Sequence, residues 1–308
     1  MNLIFSAFAS LPGYREGDAA NRGRELYDRC LVVALCSAKG QNPDAEVALV
    51  TNAPVPPPFA GQLENAGVRI WQCPFASYRV EAALEWSLAF YKLCAMEWVL
   101  QTKSCDHLLM LDADTYTQRP LGDLWREADE AVLLYQVPHA ASQPMAAAIS
   151  ANYAALYGGA PVLTHFGGEL LCGSAARLTA FMARCRAVYD TMRQKNLHPH
   201  EGDEFITCAA AYQSLAAGEP VRAANAYLFR YWLGARFYFV ATNYCRDPVC
   251  VLHLPGSAKA RQFRVLYRYY ARHGRFPADA AVYRWCCFPP AHPPLLKSIW
   301  VRLLAGAK

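Results

Sequence analysis

Residues 106–114 read Asp-His-Leu-Leu-Met-Leu-Asp-Ala-Asp, an apolar run that stops at two carboxylates, Asp112 and Asp114. A buried strand needs the run, but nothing about a strand needs two acids at its end. Close together in a concave site, the acids repel and lose hydration, and a cation compensates both effects. Carboxylate oxygens select a hard or borderline divalent ion such as Mg²⁺ or Mn²⁺. At the carboxyl end of a strand in an open sheet, that ion sits where such folds bind ligands, so metal-bridged phosphate is the chemistry predicted. A solvated turn or a helix N-cap at Asp114-Thr115 is the competing account of the same triplet.

A second apolar run ends in a polar group late in the chain. Val249–Leu252 leads into His253, with Gly256 and Lys259 following at intervals of three. Imidazole suits Mn²⁺ beside two carboxylates. Gly256 lets the backbone approach a phosphate, and Lys259 offers it a point charge. A strand-end histidine before an ordinary turn is the alternative. Between these segments lie His165-Phe166-Gly167-Gly168-Glu169 and His200-Glu201-Gly202-Asp203-Glu204-Phe205. Two glycines in an extended stretch admit a ligand to the backbone, or mark a bulge. Asp203 and Glu204 open a helix, where they either favour the dipole or take a catalytic or sugar-binding role. His198 and His200 fall in a Pro-containing loop and read as solvated residues.

Positioning these groups requires strands that end at one edge. The pattern predicts strands at Asn2–Ala9, Glu46–Thr51, Val68–Cys73 and Asp106–Leu111, alternating with helices at Arg22–Ala38, Phe59–Ala66 and Leu84–Thr102. Such alternation implies an α/β fold with parallel strands joined by right-handed crossovers. Further along, Ala131–Val137, Val162–Cys172, Ala226–Tyr231 and Val249–Leu252 read as extended, and Pro144–Tyr157, Arg177–Gln194 and Asp203–Leu215 as helices. With 308 residues and 54% apolar content, the chain can bury one large core, or a domain with an appendage. No run approaches the ~20 apolar residues of a membrane span. The first residues lack a basic region and a cleavage site, so they read as a strand and not as a signal peptide. The twelve cysteines are scattered without a Cys-x-x-Cys pair, which suits reduced core thiols in a cytoplasmic protein.

The net charge of +5 is unevenly placed. Residues 256–308 hold ten Lys/Arg and one acid, Asp279, and residues 1–255 are net acidic. Arg261, Arg264, Arg268, Arg272 and Arg275 recur at helical spacing, with Phe263, Leu266, Tyr267 and Tyr270 on another face and Trp285, Phe288, Ile299 and Trp300 beyond. A cationic aromatic helix suits an anionic membrane surface, here over residues 261–302, or packs on its own domain as a solvated face. No motif supports binding to nucleic acid.

Taken together, the strand ending in Asp-x-Asp and the late His-x-x-Gly-x-x-Lys resemble glycosyltransferase family 8, the group of bacterial lipopolysaccharide galactosyltransferases and glycogenin. The resemblance implies the GT-A fold, a Rossmann-like mixed sheet flanked by helices, over residues 1–257, with 258–308 as a basic helical extension. It implies a nucleotide-sugar donor, a UDP-sugar, held with Mn²⁺ or Mg²⁺. Asp112, Asp114 and His253 are then the metal ligands. Lys259 and Gly256 meet the diphosphate, with Ala113 between the acids. Lys92 contacts the donor from the helix before the acidic strand, though the same lysine also reads as a solvated helix residue. Ala7, Phe8 and Asn52, at the ends of the first two strands, flank the base. Where the family usually follows the lysine with Pro-Trp, this chain has Ala260-Arg261. The Phe-Gly-Gly and Asp-Glu pair is similar to the blood-group type retaining transferases, which implies catalytic roles for Glu204 and Asp203 and donor contacts at Gly167 and Gly168. Family 8 has Asp-Gln there. The expectation is a retaining transfer to a glycan hydroxyl, as in lipopolysaccharide synthesis, by a protein peripheral to the inner face of the membrane. The alternatives are a non-catalytic glycan or membrane binder on this fold, and a sugar nucleotidyltransferase. The latter needs a Gly-rich basic loop after the first strand, where Ser10–Arg15 is a poor match.

Overall fold

Apolar runs covered on both faces build the first half of the molecule. In β1 (Asn2–Phe8), Leu3 and Phe5 enter one core and Ile4 the other, so the strand reads as unbroken apolar sequence. The computed structural model describes residues 1–11, 23–82, 84, 86–138, 144–232, 241, 248–289 and 295–306, with backbone alone at 297, 298, 302 and 304–306. The segment Ser10–Arg15, read as a poor match to a nucleotidyltransferase loop, lies outside the described residues from Pro12 onward.

After β1 come α1 (Arg24–Gln41), β2 (Glu46–Thr51), α2 (Pro57–Asn65), β3 (Arg69–Gln72), α3 (Tyr91–Thr102), β4 (His107–Leu111) and β5 (Thr115–Thr117). There follow α4 (Gly122–Glu130), β6 (Val132–Gln136), α5 (Pro144–Tyr157), β7 (Phe166–Ser174), α6 (Ala175–Gln194), α7 (Asp203–Ala216), β8 (Val221–Ala223), β9 (Leu228–Arg230) and β10 (Val251–His253). The described chain closes with α8 (Lys259–His273), α9 (Asp279–Trp285) and α10 (Leu295–Gly306).

The main sheet has the order β3-β2-β1-β4-β7-β6-β8. The chain runs outward from β1 to β3 and returns to β4 on the other side of β1, which opens a crevice at the carboxyl ends of β1 and β4. The strands β1 to β4 are parallel, as the alternation predicts. β7 departs from that pattern and runs antiparallel to β4 and β6, because α5 does not carry the chain back to the opposite edge. Pairing of β6 with β7 jumps from Leu134↔Leu171 to Tyr135↔Gly167. The irregularity frees Gly168 and Glu169 from β6 and turns them toward the end of β4, where Asp112 N–H donates to Glu169 O at 3.0 Å. A second sheet, β5-β10-β9, lies beside that end.

The predicted helix from Leu84 begins only at Tyr91. Trp86 sits at φ 61°, a left-handed conformation that ends any continuous turn upstream. The strands β5 and β8 are too short to give a periodic signal, whereas α4 carries one that the sequence reading passes over, with Leu124, Trp125 and Ala128 buried on one face. The segment after β10 packs inward: Phe263 and Leu266 of α8 are buried with Cys30 and Val33 of α1 and Leu252 of β10. Arg261, Arg264, Arg268 and Arg272 remain exposed. No helix among the described residues is long and apolar enough to cross a membrane.

Candidate active site

Two strand connections bring the acids and the histidine together. Asp112 and Asp114 lie in the link from β4 to β5, and β10 pairs antiparallel to β5 with His253 opposite Thr115. The backbone closes the corner, with Leu254 N–H donating to Asp114 O at 3.0 Å. His253 Nε2 lies 3.1 Å from Asp114 Oδ1 and 3.8 Å from Asp112 Oδ2. One ligand atom from each residue falls within 4.8 Å of the others, the one such group among the described residues. His198 and His200 stand outside it; His198 Nε2 meets Asn196 Oδ1 at 3.1 Å.

Lysines flank the acids. Lys259, at the start of α8, places Nζ 2.8 Å from Asp114 Oδ2. The turn before it needs Gly256, whose φ is +82° and whose added Cβ would lie 2.8 Å from the Trp232 ring. Lys92, in the first turn of α3, lies 3.3 Å from Asp112 Oδ1 and 3.0 Å from Asp203 Oδ2, and donates to Gly168 O at 3.1 Å. A Cβ at Gly168 would collide with Lys92 Nζ, and one at Gly167 with Glu169 and Arg230. Both glycines let these charged side-chain ends come close to the backbone, and a Cβ at either position would displace them. The lysine read as a solvated helix residue is mostly buried, with 14% side-chain exposure.

Behind the glycines, Glu204 belongs to a charged layer whose other two members, Arg230 and Glu169, the motif reading gives no role. Arg230 at the end of β9 forms a two-pronged ion pair with Glu169, which is 0% exposed, and reaches Glu204 Oε1 at 3.3 Å. Glu204 Oε1 also accepts the Gly168 N–H at 3.1 Å, and Oε2 meets His165 Nε2 at 2.7 Å. A signal existed: Glu169 is an acid inside an apolar strand, and an ionised buried side chain demands a partner.

The surroundings set each charge. Burial raises Asp112, and Lys92 only partly opposes it. Burial works the same way on Asp114, but Lys259 and His253 override it and hold that carboxyl well below the usual range. Burial would lower His253, yet the Asp114 charge and Glu169 bring it up to about 9. Burial also opposes ionisation of Glu169, but His253 and Arg230 hold it at about 2. Glu204 is lowered against burial by His165 and Arg230, and Asp203 is raised by burial in spite of Lys92.

Five carboxylates (Asp112, Asp114, Glu169, Asp203, Glu204) stand against three permanent cations (Lys92, Lys259, Arg230). A protonated His253 offsets one charge of that deficit in the metal-free site, and a divalent ion that displaces its proton would supply two positive charges there. Two carboxylates and an imidazole are the donor set that Mn²⁺ or Mg²⁺ accepts, so these residues fit the ion the sequence implies.

The ends of β1 and β2 form the rim. Asn52 accepts from Ser10 N at 2.8 Å and donates to Ser10 O at 3.0 Å, tying the two exits together. Beyond Ala7, the Phe8 ring lies 5.8 Å from Tyr27, and Lys259 Nζ lies 5.3 Å from the Tyr27 ring. An aromatic path therefore leads from the end of β1 to the lysine on Asp114. Ala113 is partly buried between the acids. Trp86 and Trp232 are exposed, and each is seated on a glycine: Trp86 at Gly202, just before Asp203, and Trp232 at Gly256.

No family model matches the chain, and no curated protein matches it. Solved structures do. The crystal structure of galactosyltransferase LgtC in complex with donor and acceptor sugar analogues is similar with TM-score 0.56 and 18% identity over 93% of this chain and 100% of that one. An active-site mutant of LgtC with glutamate in place of glutamine is similar with TM-score 0.56 and 16% identity, over the same shares. At these identities the likeness establishes architecture, and the chain has the GT-A fold.

Proposed function

We propose that this protein is a metal-dependent glycosyltransferase that moves a sugar from a nucleotide-sugar, a UDP-sugar, to a saccharide hydroxyl. The observation that carries the reading is the convergence of Asp112, Asp114 and His253, from chain segments far apart in sequence, in the crevice where the strand order reverses. The fold of an enzyme solved with donor and acceptor sugar analogues agrees with it. Asp112, Asp114 and His253 hold the divalent ion, Mn²⁺ or Mg²⁺, which offsets charge on the departing diphosphate. Lys259, near both Asp114 and Tyr27, meets the diphosphate together with the backbone at Gly256 and Ala113. Ala7, Phe8 and Asn52 border the base.

Lys92, Gly167 and Gly168 receive the donor sugar. Lys92 holds Asp203 beside it, and Glu204, kept ionised, faces positive charge that develops at the anomeric carbon. That arrangement favours retention: the bond from the anomeric carbon to the diphosphate breaks, and the acceptor oxygen bonds on the same face as its proton passes to the departing phosphate oxygen. Trp86 and Trp232 offer flat apolar faces to an acceptor sugar at the rim. Residues 1–257 form the catalytic body in this reading, and 258–308 an extension that contributes Lys259. α10 exposes Leu295, Leu296, Ile299, Trp300 and Leu303, and with the exposed arginines of α8 it suits an anionic membrane surface carrying a lipid-linked acceptor such as a lipopolysaccharide core.

The test is a panel of nucleotide-sugars incubated with the full chain, with and without Mn²⁺. Metal-dependent release of the nucleoside diphosphate is expected for one donor. Binding without turnover of any donor leaves the non-catalytic binder, and pyrophosphate exchange leaves the nucleotidyltransferase. An NMR time course of the product anomer tests retention, which an inverted product removes.

A further inference from the structure

His253 has two faces, and the structure supplies each with a different partner. Nε2 points at Asp114 and Asp112, at 3.1 and 3.8 Å. Nδ1 is buried, has no hydrogen-bond partner, and lies 3.6 Å from Glu169 Oε1. A shift of a few tenths of an ångström brings that pair within hydrogen-bond range. A neutral imidazole carries one proton. If it sits on Nδ1 it faces a carboxylate, and the Nε2 lone pair faces the place of the cation. In the other tautomer an N–H faces the cation and a lone pair faces an anion, so both contacts turn unfavourable.

Glu169 is itself fixed. It is 0% exposed, and both its oxygens are taken by the guanidinium of Arg230. That guanidinium also reaches Glu204 Oε1 at 3.3 Å, and Glu204 holds His165 through its other oxygen. A buried carboxylate stays ionised only with such a partner. The contacts form one chain, His253–Glu169–Arg230–Glu204–His165, from the metal ligand to the acid beneath the glycines.

We propose that Glu169 and Arg230 are positioning residues: Glu169 fixes the tautomer and tilt of His253 so that Nε2 serves the divalent ion, and Arg230 holds Glu169 and ties it to Glu204. This rests on the reading that Asp112, Asp114 and His253 bind a divalent cation. Carboxylate partners of this kind orient ligating histidines elsewhere, and their loss weakens metal affinity by about 10–100-fold.

The probe is Mn²⁺ alone, added to the full chain without donor, with free Mn²⁺ read by electron paramagnetic resonance. Glu169→Gln keeps the shape of the side chain and removes its charge, and its affinity is expected to fall by about 10–100-fold. Arg230→Gln moves affinity the same way by less, and Arg230→Lys restores part of it. A merely structural role is separated by the spin-echo signature of nitrogen bound to Mn²⁺. Wild type shows histidine nitrogen coupling, and Glu169→Gln weakens or loses it; its metal-free melting temperature falls because Arg230 loses its buried partner, so the titration is run well below that temperature on folded protein. If wild type binds Mn²⁺ and Glu169→Gln binds it within twofold with the same nitrogen coupling, the proposal is overturned and the metal reading stands. If folded Glu169→Gln loses affinity yet keeps the wild-type nitrogen coupling, and Arg230→Lys restores no affinity, the role is structural and the proposal is likewise overturned. If wild type binds no Mn²⁺, the function proposed above fails, and this inference with it.

Discussion

The two sides of the crevice differ in how their charge is balanced. On the β4–β10 side, Asp112, Asp114 and His253 cluster with Lys259 and Lys92 at the edge. On the β7–α7 side, Arg230 stands between Glu169 and Glu204, and Glu204 is closed off by His165 and the Gly168 N–H. The first side is short of positive charge and has donor atoms grouped for an ion. The second is self-contained, with every carboxylate oxygen engaged. A group that must take up and release an ion differs in this way from one whose charges are paired and fixed before any ligand arrives. Lys92 belongs to both, since it touches Asp112 on one side and Asp203 and Gly168 on the other.

The largest expected effect comes from breaking the uncompensated side. Asp112→Asn and Asp114→Asn should each remove Mn²⁺ binding and reduce transfer by on the order of 10²–10³-fold or more, measured with saturating donor. Their effects on the metal-free protein should part company. Burial holds the Asp112 carboxyl above its usual value, so the ionised form is strained there and asparagine should leave the melting temperature unchanged or raise it. Lys259 and His253 hold Asp114 low, so Asp114→Asn leaves buried positive charge without a partner and should destabilise by roughly 3–5 kcal/mol. Equal shifts in calorimetry would show that the two acids are electrostatically alike, against the geometry.

The self-contained side should respond less steeply. Glu204→Gln retains the shape and the Gly168 contact but removes the charge that Arg230 and His165 surround. Transfer should fall by about 10²-fold, with Mn²⁺ affinity changed far less than in the Asp114 variant. A fall in metal affinity as large as that of Asp114→Asn would erase the distinction between the two sides.

How much of this could be read from sequence follows the same division. β2 at Glu46–Thr51 and α5 at Pro144–Tyr157 form where the local sequence places them, and the strand leading to Asp112 ends at Leu111 as expected and begins one residue later. Each of those readings depends only on neighbours in the chain. The partnership of Glu169 with Arg230 joins residues 61 apart, and no local pattern encodes it. The same holds for the bulge opposite Leu134 and for the late start of α3, which depends on Trp86 adopting φ 61° over Gly202. The acid pair was visible because its surroundings are apolar. The layer that orients it was hidden because charge in a strand has meaning only beside its partner.

Gly168 tests the boundary between the sides. Alanine there would drive its Cβ into Lys92 Nζ and to 3.0 Å from Asp203 Oδ2. Lys92 must then swing away from Asp112, so transfer should drop about tenfold or more and stability by roughly 1–3 kcal/mol. Gly122→Ala is the control. Nothing lies within 4 Å of its Cβ, and it sits in α4, so it should be neutral or stabilise by about 0.5–1 kcal/mol. Comparable losses in both variants would mean that glycine content, and not close approach to Lys92, sets the cost.

The smallest effect on catalysis is expected farthest from the crevice. In α10, Leu296 is 82% exposed and Trp300 is 61% exposed, while α8 turns Arg264, Arg268 and Arg272 outward. Apolar side chains exposed this far gain free energy by entering an interface, and arginines add about 1 kcal/mol each near an anionic surface. The double variant Leu296→Glu/Trp300→Glu should lower sedimentation with vesicles rich in phosphatidylglycerol by about tenfold or more while leaving transfer to a water-soluble acceptor unchanged. Raising the salt concentration should weaken wild-type binding through the arginines, and zwitterionic vesicles should bind little. Unchanged sedimentation of the double variant would mean that the apolar face of α10 meets something other than lipid, and a parallel loss of soluble activity would place α10 in the folding of the catalytic body instead.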